Sequence, residues 1–175
     1  MKRIYLFLLP FVALLMTACN DMAVSTPELW AARLMIRTAP DGWCDTIPIT
    51  DTIHVGDTLR WNLMADGHFN TLQTFDVTAD TSVFYLGLEI SPVDSAALDL
   101  KKSDLDHGKM VFQPQKIYAC PVWLRFSPRK TGTHKIQMTI ASDAGQNYSP
   151  RSWEYTTTIA DSIPTIVSDS TSADS

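Results

Sequence analysis

Beyond residue 18 this chain of 175 residues has no apolar run long enough to cross a bilayer as a helix. It also lacks positive charge, with 14 Lys and Arg against 19 Asp and Glu. That balance argues against nucleic acid as a partner and against strong attraction to anionic lipid. Catalytic signatures are missing: there is no Gly-x-Ser-x-Gly elbow, no glycine-rich phosphate loop and no His-Glu-x-x-His zinc helix. The four histidines, His54, His68, His107 and His134, are scattered. Three metal ligands cannot be assembled from them, and no metal or other cofactor is expected. Asp104, Asp106 and Gly108 echo part of a calcium loop, yet the distal glutamate at the required spacing is absent. Glu89, Asp94 and Asp99 could supply a hydrolytic carboxylate pair, but spacing along a loop does not fix a separation in space. The chain is therefore not expected to be an enzyme.

What is present begins at the N-terminus. Lys2 and Arg3 give a positive start, Ile4 to Leu15 is almost unbroken apolar sequence, and Met16-Thr17-Ala18 precedes Cys19. This is the layout of a signal peptide over residues 1–18. The segment resembles the lipobox of bacterial lipoproteins, with Met16 where leucine is usual. The resemblance implies cleavage before Cys19 and acylation, with palmitate among the chains, of Cys19 as the first mature residue. The competing reading is a conventional signal-peptidase site after Ala18. More than one acyl chain anchors stably where a single chain is marginal. The protein is thus expected at the bacterial outer membrane, on its periplasmic or surface-facing side, with the N-terminal lipid as its membrane contact.

Setting Cys19 aside leaves Cys44 and Cys120. In an oxidising compartment two remaining thiols more often pair than stay free, so a Cys44–Cys120 disulfide is predicted. Closing that loop would restrict the unfolded chain by about 4 kcal/mol. Two buried free thiols or a metal pair are the alternatives, and the second is poor because no ligand lies at the right spacing. Lys2 and Arg3 leave with the signal peptide, so 12 basic residues face 19 acidic ones in the mature chain, a formal charge of about −7.

The remaining sequence suits one domain. Residues 19–28 read as a lipidated tether, 29–160 as a β-sandwich, and 161–175 as a disordered acidic tail rich in Ser and Thr, with a partner-recognised peptide as the sharper alternative. Leu29 to Thr38 fits either a strand or a short helix, and the strand is favoured. The clearest segment is Thr58 to Ala65, with Leu59, Trp61 and Leu63 on one face and Arg60, Asn62 and Met64 on the other. Turns at Val55-Gly56-Asp57 and Asp66-Gly67 bound it. Further strands are predicted over 72–78, 83–90, 110–113, 122–126, 134–141 and 152–159. A helical turn is predicted within 94–105. Several strands at short intervals without a long helical period point to an all-β sandwich.

Phe126 and Pro128, then Gly132 before an alternating strand, then Asp143 and Gly145, make a pattern similar to the late strands of bacterial immunoglobulin-like and polycystic-kidney-disease-like domains. Val55 to Thr58 is similar to the start of an early strand in the same families. The resemblance implies an immunoglobulin-like antiparallel β-sandwich of about seven to eight strands. Cys44 and Cys120 do not match the bridge positions of antibody domains, and His134 stands near the place of a corner tyrosine. The layout as a whole resembles the TraQ-type lipoproteins of conjugative transposons.

Trp43 precedes Cys44, and Trp123 follows Cys120 by three residues. A Cys44–Cys120 bridge would bring the two indoles together, and with Val122, Leu124 and Phe126 facing the core, alternation turns Trp123 outward. The pair is either a stacking platform for a sugar or protein partner, or a cover over the disulfide. The expected function is a non-catalytic, lipid-anchored binding or assembly module of the bacterial envelope, with an envelope protein or a glycan as partner. The alternatives are a surface glycan or peptide binder and a hydrolase without a readable motif.

Overall fold

The computed structural model describes residues 25–37, 42, 45–145 and 147–162. The predicted signal peptide, Cys19, Trp43, Cys44 and residues 163–175 of the predicted tail lie outside the described residues. The strands, in chain order, are β1 (Glu28–Ile36), β2 (Asp45–Ile47), β3 (Ile53–His54), β4 (Leu59–Asp66), β5 (Leu72–Ala79), β6 (Phe84–Ile90), β7 (Lys109–Val111), β8 (Ala119–Pro128), β9 (Gly132–Ser142) and β10 (Arg151–Ala160). They form two five-stranded sheets, ordered β2-β1-β4-β8-β6 and β3-β10-β9-β5-β7. All neighbours are antiparallel except β3 with β10. The long strands β1, β4, β8 and β6 in one sheet and β10, β9 and β5 in the other reproduce the ABED and GFC sheets of an immunoglobulin-like sandwich. The expected fold class is the observed one. Three short edge strands, β2, β3 and β7, supplement the seven long ones.

Alternation explains why these segments are strands and which way they face. Leu59, Trp61 and Leu63 of β4, Val122, Leu124 and Phe126 of β8, and Ile136, Met138 and Ile140 of β9 are all buried between the sheets. Their neighbours along each strand point outward, as a period of two requires. Trp61 meets Tyr155 of β10 edge-on across the core, with ring centroids 4.7 Å apart, a favoured geometry for aromatic pairs. In β1 the alternation is blurred because the register with β4 shifts between Ala31 and Leu34, a bulge that leaves Leu34 as its fully buried residue. The segment is a strand, as favoured.

Between β6 and β7 the chain makes two 3-10 turns, Asp94–Ala97 and Leu105–His107, which matches the helical turn expected there. Buried Leu98 ties this connection to the core. At the start of β9, His134 Nε2–H donates to the Thr131 carbonyl at 3.0 Å. A corner tyrosine makes the same kind of bond back to the upstream backbone.

Antiparallel pairing puts the start of β1, the end of β4, the start of β8, the β9–β10 connection and the start of β10 at one end of the sandwich. Residues Ser25 to Pro27 enter there. Asn70 fastens this segment by donating from Nδ2 to the Ser25 carbonyl at 3.1 Å, while Ser25 Oγ–H donates to the His68 carbonyl. No helix among the described residues is long and apolar enough to cross a membrane.

Candidate binding surface

β8 runs inside the first sheet, so its outward side chains meet neighbours on both sides. Trp123 and Arg125 lie on that outer face, half-buried, between the buried Val122, Leu124 and Phe126. This is the orientation expected for Trp123. Arg60 opposes Arg125 across the β4–β8 ladder, while Asn62 and Glu89 flank Trp123 from β4 and β6. Two arginines directly opposite would repel. Glu89 engages both, with Oε2 2.8 Å from Arg60 Nη2 and Oε1 3.4 Å from Arg125 Nη1. The Arg60 guanidinium also stands over the Trp123 ring, 4.9 Å from its centroid. Partly exposed ion pairs contribute about 1 kcal/mol or less, and a cation–π contact of this kind about the same. The main consequence of the cluster is order: Trp123, Arg60 and Arg125 are held in one arrangement on a sheet whose backbone is already paired.

The same face continues through exposed Met64, which opposes Trp30 of β1 on one side and Pro121 of β8 on the other. It is an aromatic and arginine-bearing surface with a single carboxylate at its centre. Sequence alternation located Trp123, but not the strand register that places Arg60 and Glu89 around it. Trp43, the other expected indole, lies outside the described residues.

Cys120 is a free thiol buried opposite Ala65, near the β8 start. Its expected partner Cys44 lies outside the described residues. Burial, aided by the charge of Asp94, pushes the Cys120 thiol from 9.0 up to about 12. Unfolded, the thiol ionises near its ordinary value while the folded protein keeps its proton. The stabilising effect of a protonated Cys120 is therefore full below about pH 9 and is lost as pH rises from there toward 12. In reduced native protein, iodoacetamide at pH 8 should leave Cys120 unmodified until denaturant is added; rapid labelling of folded protein would contradict its burial. Peptide mapping of exported protein without reductant tests the bridge. A linked Cys44–Cys120 fragment is the predicted outcome, and two alkylated thiols would contradict it.

The other polar candidates are dispersed. Glu89 belongs to the arginine cluster, Asp94 accepts from Ser91 Oγ at 2.7 Å, and Asp99 pairs with Lys102 at 2.9 Å. The three carboxylates thus have separate partners. Asp104 lies 2.9 Å from His107 Nδ1 and raises the imidazole pKa through that hydrogen bond. No group of three or more His, Cys, Asp or Glu placed to hold a metal occurs among the described residues.

Two clefts were not legible in the sequence. One, of about 490 Å³, lies between β5, β6 and the Leu105–His107 turn, with Asp106, His107 and Arg129 among its lining residues. The other, of about 480 Å³, is lined by Asp66, His68, Phe69 and Tyr118 at the end where the chain enters. His68 and Phe69 both have positive φ, 48° and 74°, an uncommon backbone state that turns Phe69 away from the core.

No protein-family model matches the chain, and no curated protein matches it. Solved structures do. A DUF4466 family protein from Parabacteroides merdae is similar over 77% of this chain and 45% of its own, at 9% identity and a TM-score of 0.44. Domains 4 and 5 of the S-layer protein SbsC are similar over 76% of this chain and 54% of theirs, at 10% identity and a TM-score of 0.36. The chain spans about half the length of each of these two structures. The collagen-binding domain of a Staphylococcus aureus adhesin is similar over 72% of this chain and 95% of its own, at 10% identity and a TM-score of 0.31.

Proposed function

We propose that this protein is a non-catalytic, lipid-anchored binding or assembly module of the bacterial envelope, tethered through Cys19 to the outer membrane. Its binding surface is the outer face of the first sheet, centred on Trp123. The observation that carries this reading is the Arg60–Glu89–Arg125 cluster holding an indole on a flat, fully paired sheet. Tryptophan and arginine dominate binding hot spots because each offers a large contact area with a directional polar handle. Here both are ordered before a partner arrives, which lowers the entropy lost on binding. The occupant proposed is an envelope protein, for which a flat face of this kind is suited; a glycan ring stacked on Trp123 is the competing occupant. The lipobox layout of residues 1–19 supports the anchor.

A photo-crosslinker at Asn62, beside Trp123, should capture a membrane protein in intact cells. Trp123→Ala should weaken that capture about 30-fold, the effect of a 2 kcal/mol hot spot. Its stability should fall by only about 1 kcal/mol, the weight of the Arg60 contact. Capture unchanged in Trp123→Ala would contradict the assignment of the face, and retention on an immobilised oligosaccharide without protein capture would favour the glycan.

A further inference from the structure

We infer that the end of the sandwich where the chain enters rests on the bilayer, with Trp30, Phe69, Tyr118 and Tyr148 in the lipid headgroup region. This inference rests on the anchoring at Cys19 proposed above and adds a second, protein-made contact to it. Three independent observations lead there: tether length, the distribution of exposed aromatics, and the way one of those aromatics is held.

Cys19 precedes Ser25, where the description of the structure begins, by six positions, about 22 Å at full extension. The strands β8 and β9 have 10 and 11 residues, about 35 Å. A lipid on Cys19 therefore keeps the Ser25 end within reach of the headgroups. An inverted domain would need a tether longer than the sequence provides.

Exposure is concentrated at that end. Phe69 is 76% exposed, Trp30 59%, Tyr118 58% and Tyr148 41%. Phe69 lies in the β4–β5 turn, Tyr118 just before β8, Tyr148 in the β9–β10 connection and Trp30 two residues into β1. Of the large aromatics that are exposed, Tyr85 alone lies at the opposite end, and Arg129 stands over its ring at 5.7 Å. Tryptophan and tyrosine favour the membrane interface because an apolar ring and a polar edge are both satisfied there.

The turn that presents Phe69 is built to hold it outward. Asn70, nearly buried, donates from Nδ2 to the Ser25, Gly67 and His68 carbonyls at 3.1 to 3.3 Å. Asp143 receives the Thr71 N–H and hydroxyl, each at 2.7 Å. Positive φ at two successive non-glycine residues is tolerated only where surroundings fix it. Here the fixing contacts tie Phe69 to the same N-terminal segment that leads from the anchor. Charge does not attract this end to the membrane: Glu28, Asp66 and Asp143 are balanced only in part by Lys116 and Arg151. Insertion of rings, rather than attraction to anionic headgroups, is the contact proposed, so zwitterionic lipid is sufficient.

The test uses full-length lipidated protein in phosphatidylcholine vesicles carrying a spin label near the headgroup, with intact mass first establishing the lipid on Cys19. Part of the tryptophan emission should be quenched. Trp30→Phe should remove that quenched part, Phe69→Trp should add to it, and Tyr85→Trp at the far end should add only unquenched emission. A lipidated protein whose quenching ignores Trp30→Phe, or whose Tyr85→Trp variant is quenched as strongly as Phe69→Trp, would overturn the inference and leave the anchor standing. Absence of lipid on Cys19 would overturn both. Shielding of Trp30 from an aqueous quencher that grows with protein concentration in lipid-free solution would assign the end face to a second copy and overturn the lipid contact.

Discussion

Gly67→Ala is expected to destabilise the sandwich by about 3 kcal/mol, toward the upper end of single-residue effects. An alanine Cβ at this position would lie 2.0 Å from the Asn70 carbonyl oxygen and 3.2 Å from that of Tyr118. Both are backbone atoms, so no side chain can swing aside to make room. The Gly67 N–H donates to the Tyr118 carbonyl at 2.7 Å, and the Asn70 N–H donates to the Gly67 carbonyl at 3.1 Å. Opening the turn would strain these bonds together with the Asn70 contacts that hold Ser25. Gly145 provides the comparison. Its φ is +86° and nothing lies within 4 Å of an added Cβ, so Gly145→Ala carries only the left-handed backbone penalty of about 1–2 kcal/mol. Urea unfolding of the two variants at unchanged slope should show the larger loss in Gly67→Ala. Equal losses would mean that the turn yields easily and does not fix the N-terminal segment.

Cys19→Ser is expected to remove the anchor altogether. A serine cannot receive the thioether-linked lipid, and processing at the lipobox should stop, so unprocessed precursor should accumulate and no lipid should be incorporated. The folded body should be unaffected, because its described contacts begin at Ser25. Its unfolding midpoint should match that of the native protein. Loss of membrane attachment with an intact fold separates a failed anchor from a failed domain. Lipid incorporated into Cys19→Ser would contradict the lipobox reading.

Much of the fold was legible because each sheet buries one face only. In β4 and β9 that constraint is written directly into alternation, as in Leu59, Trp61 and Leu63 or Ile136, Met138 and Ile140. β2 and β3 were not legible, since strands of three and two residues are too short to show a period. Beyond Val122 and Phe126, β8 extends at both ends to Ala119 and Pro128, through Pro121 and Pro128, residues that local propensity counts against a strand. Trp123 was legible as outward-facing, whereas its neighbours were not. Arg60 and Glu89 reach it through registers between strands far apart in sequence. Glu89, considered as a catalytic carboxylate from its residue type, instead bridges two arginines. Phe69 was illegible for the complementary reason. Its residue type suggests a core position, and it is turned outward by a backbone state fixed through Asn70 and Ser25, which are 45 positions apart.

The measurement that bears most directly on the anchored-module account is the intact mass of the mature protein purified from the membrane fraction, followed by sequencing of its N-terminal peptide. The account predicts a chain that starts at Cys19 and carries a diacylglycerol thioether with its acyl chains. An unlipidated chain starting at any other residue would contradict it.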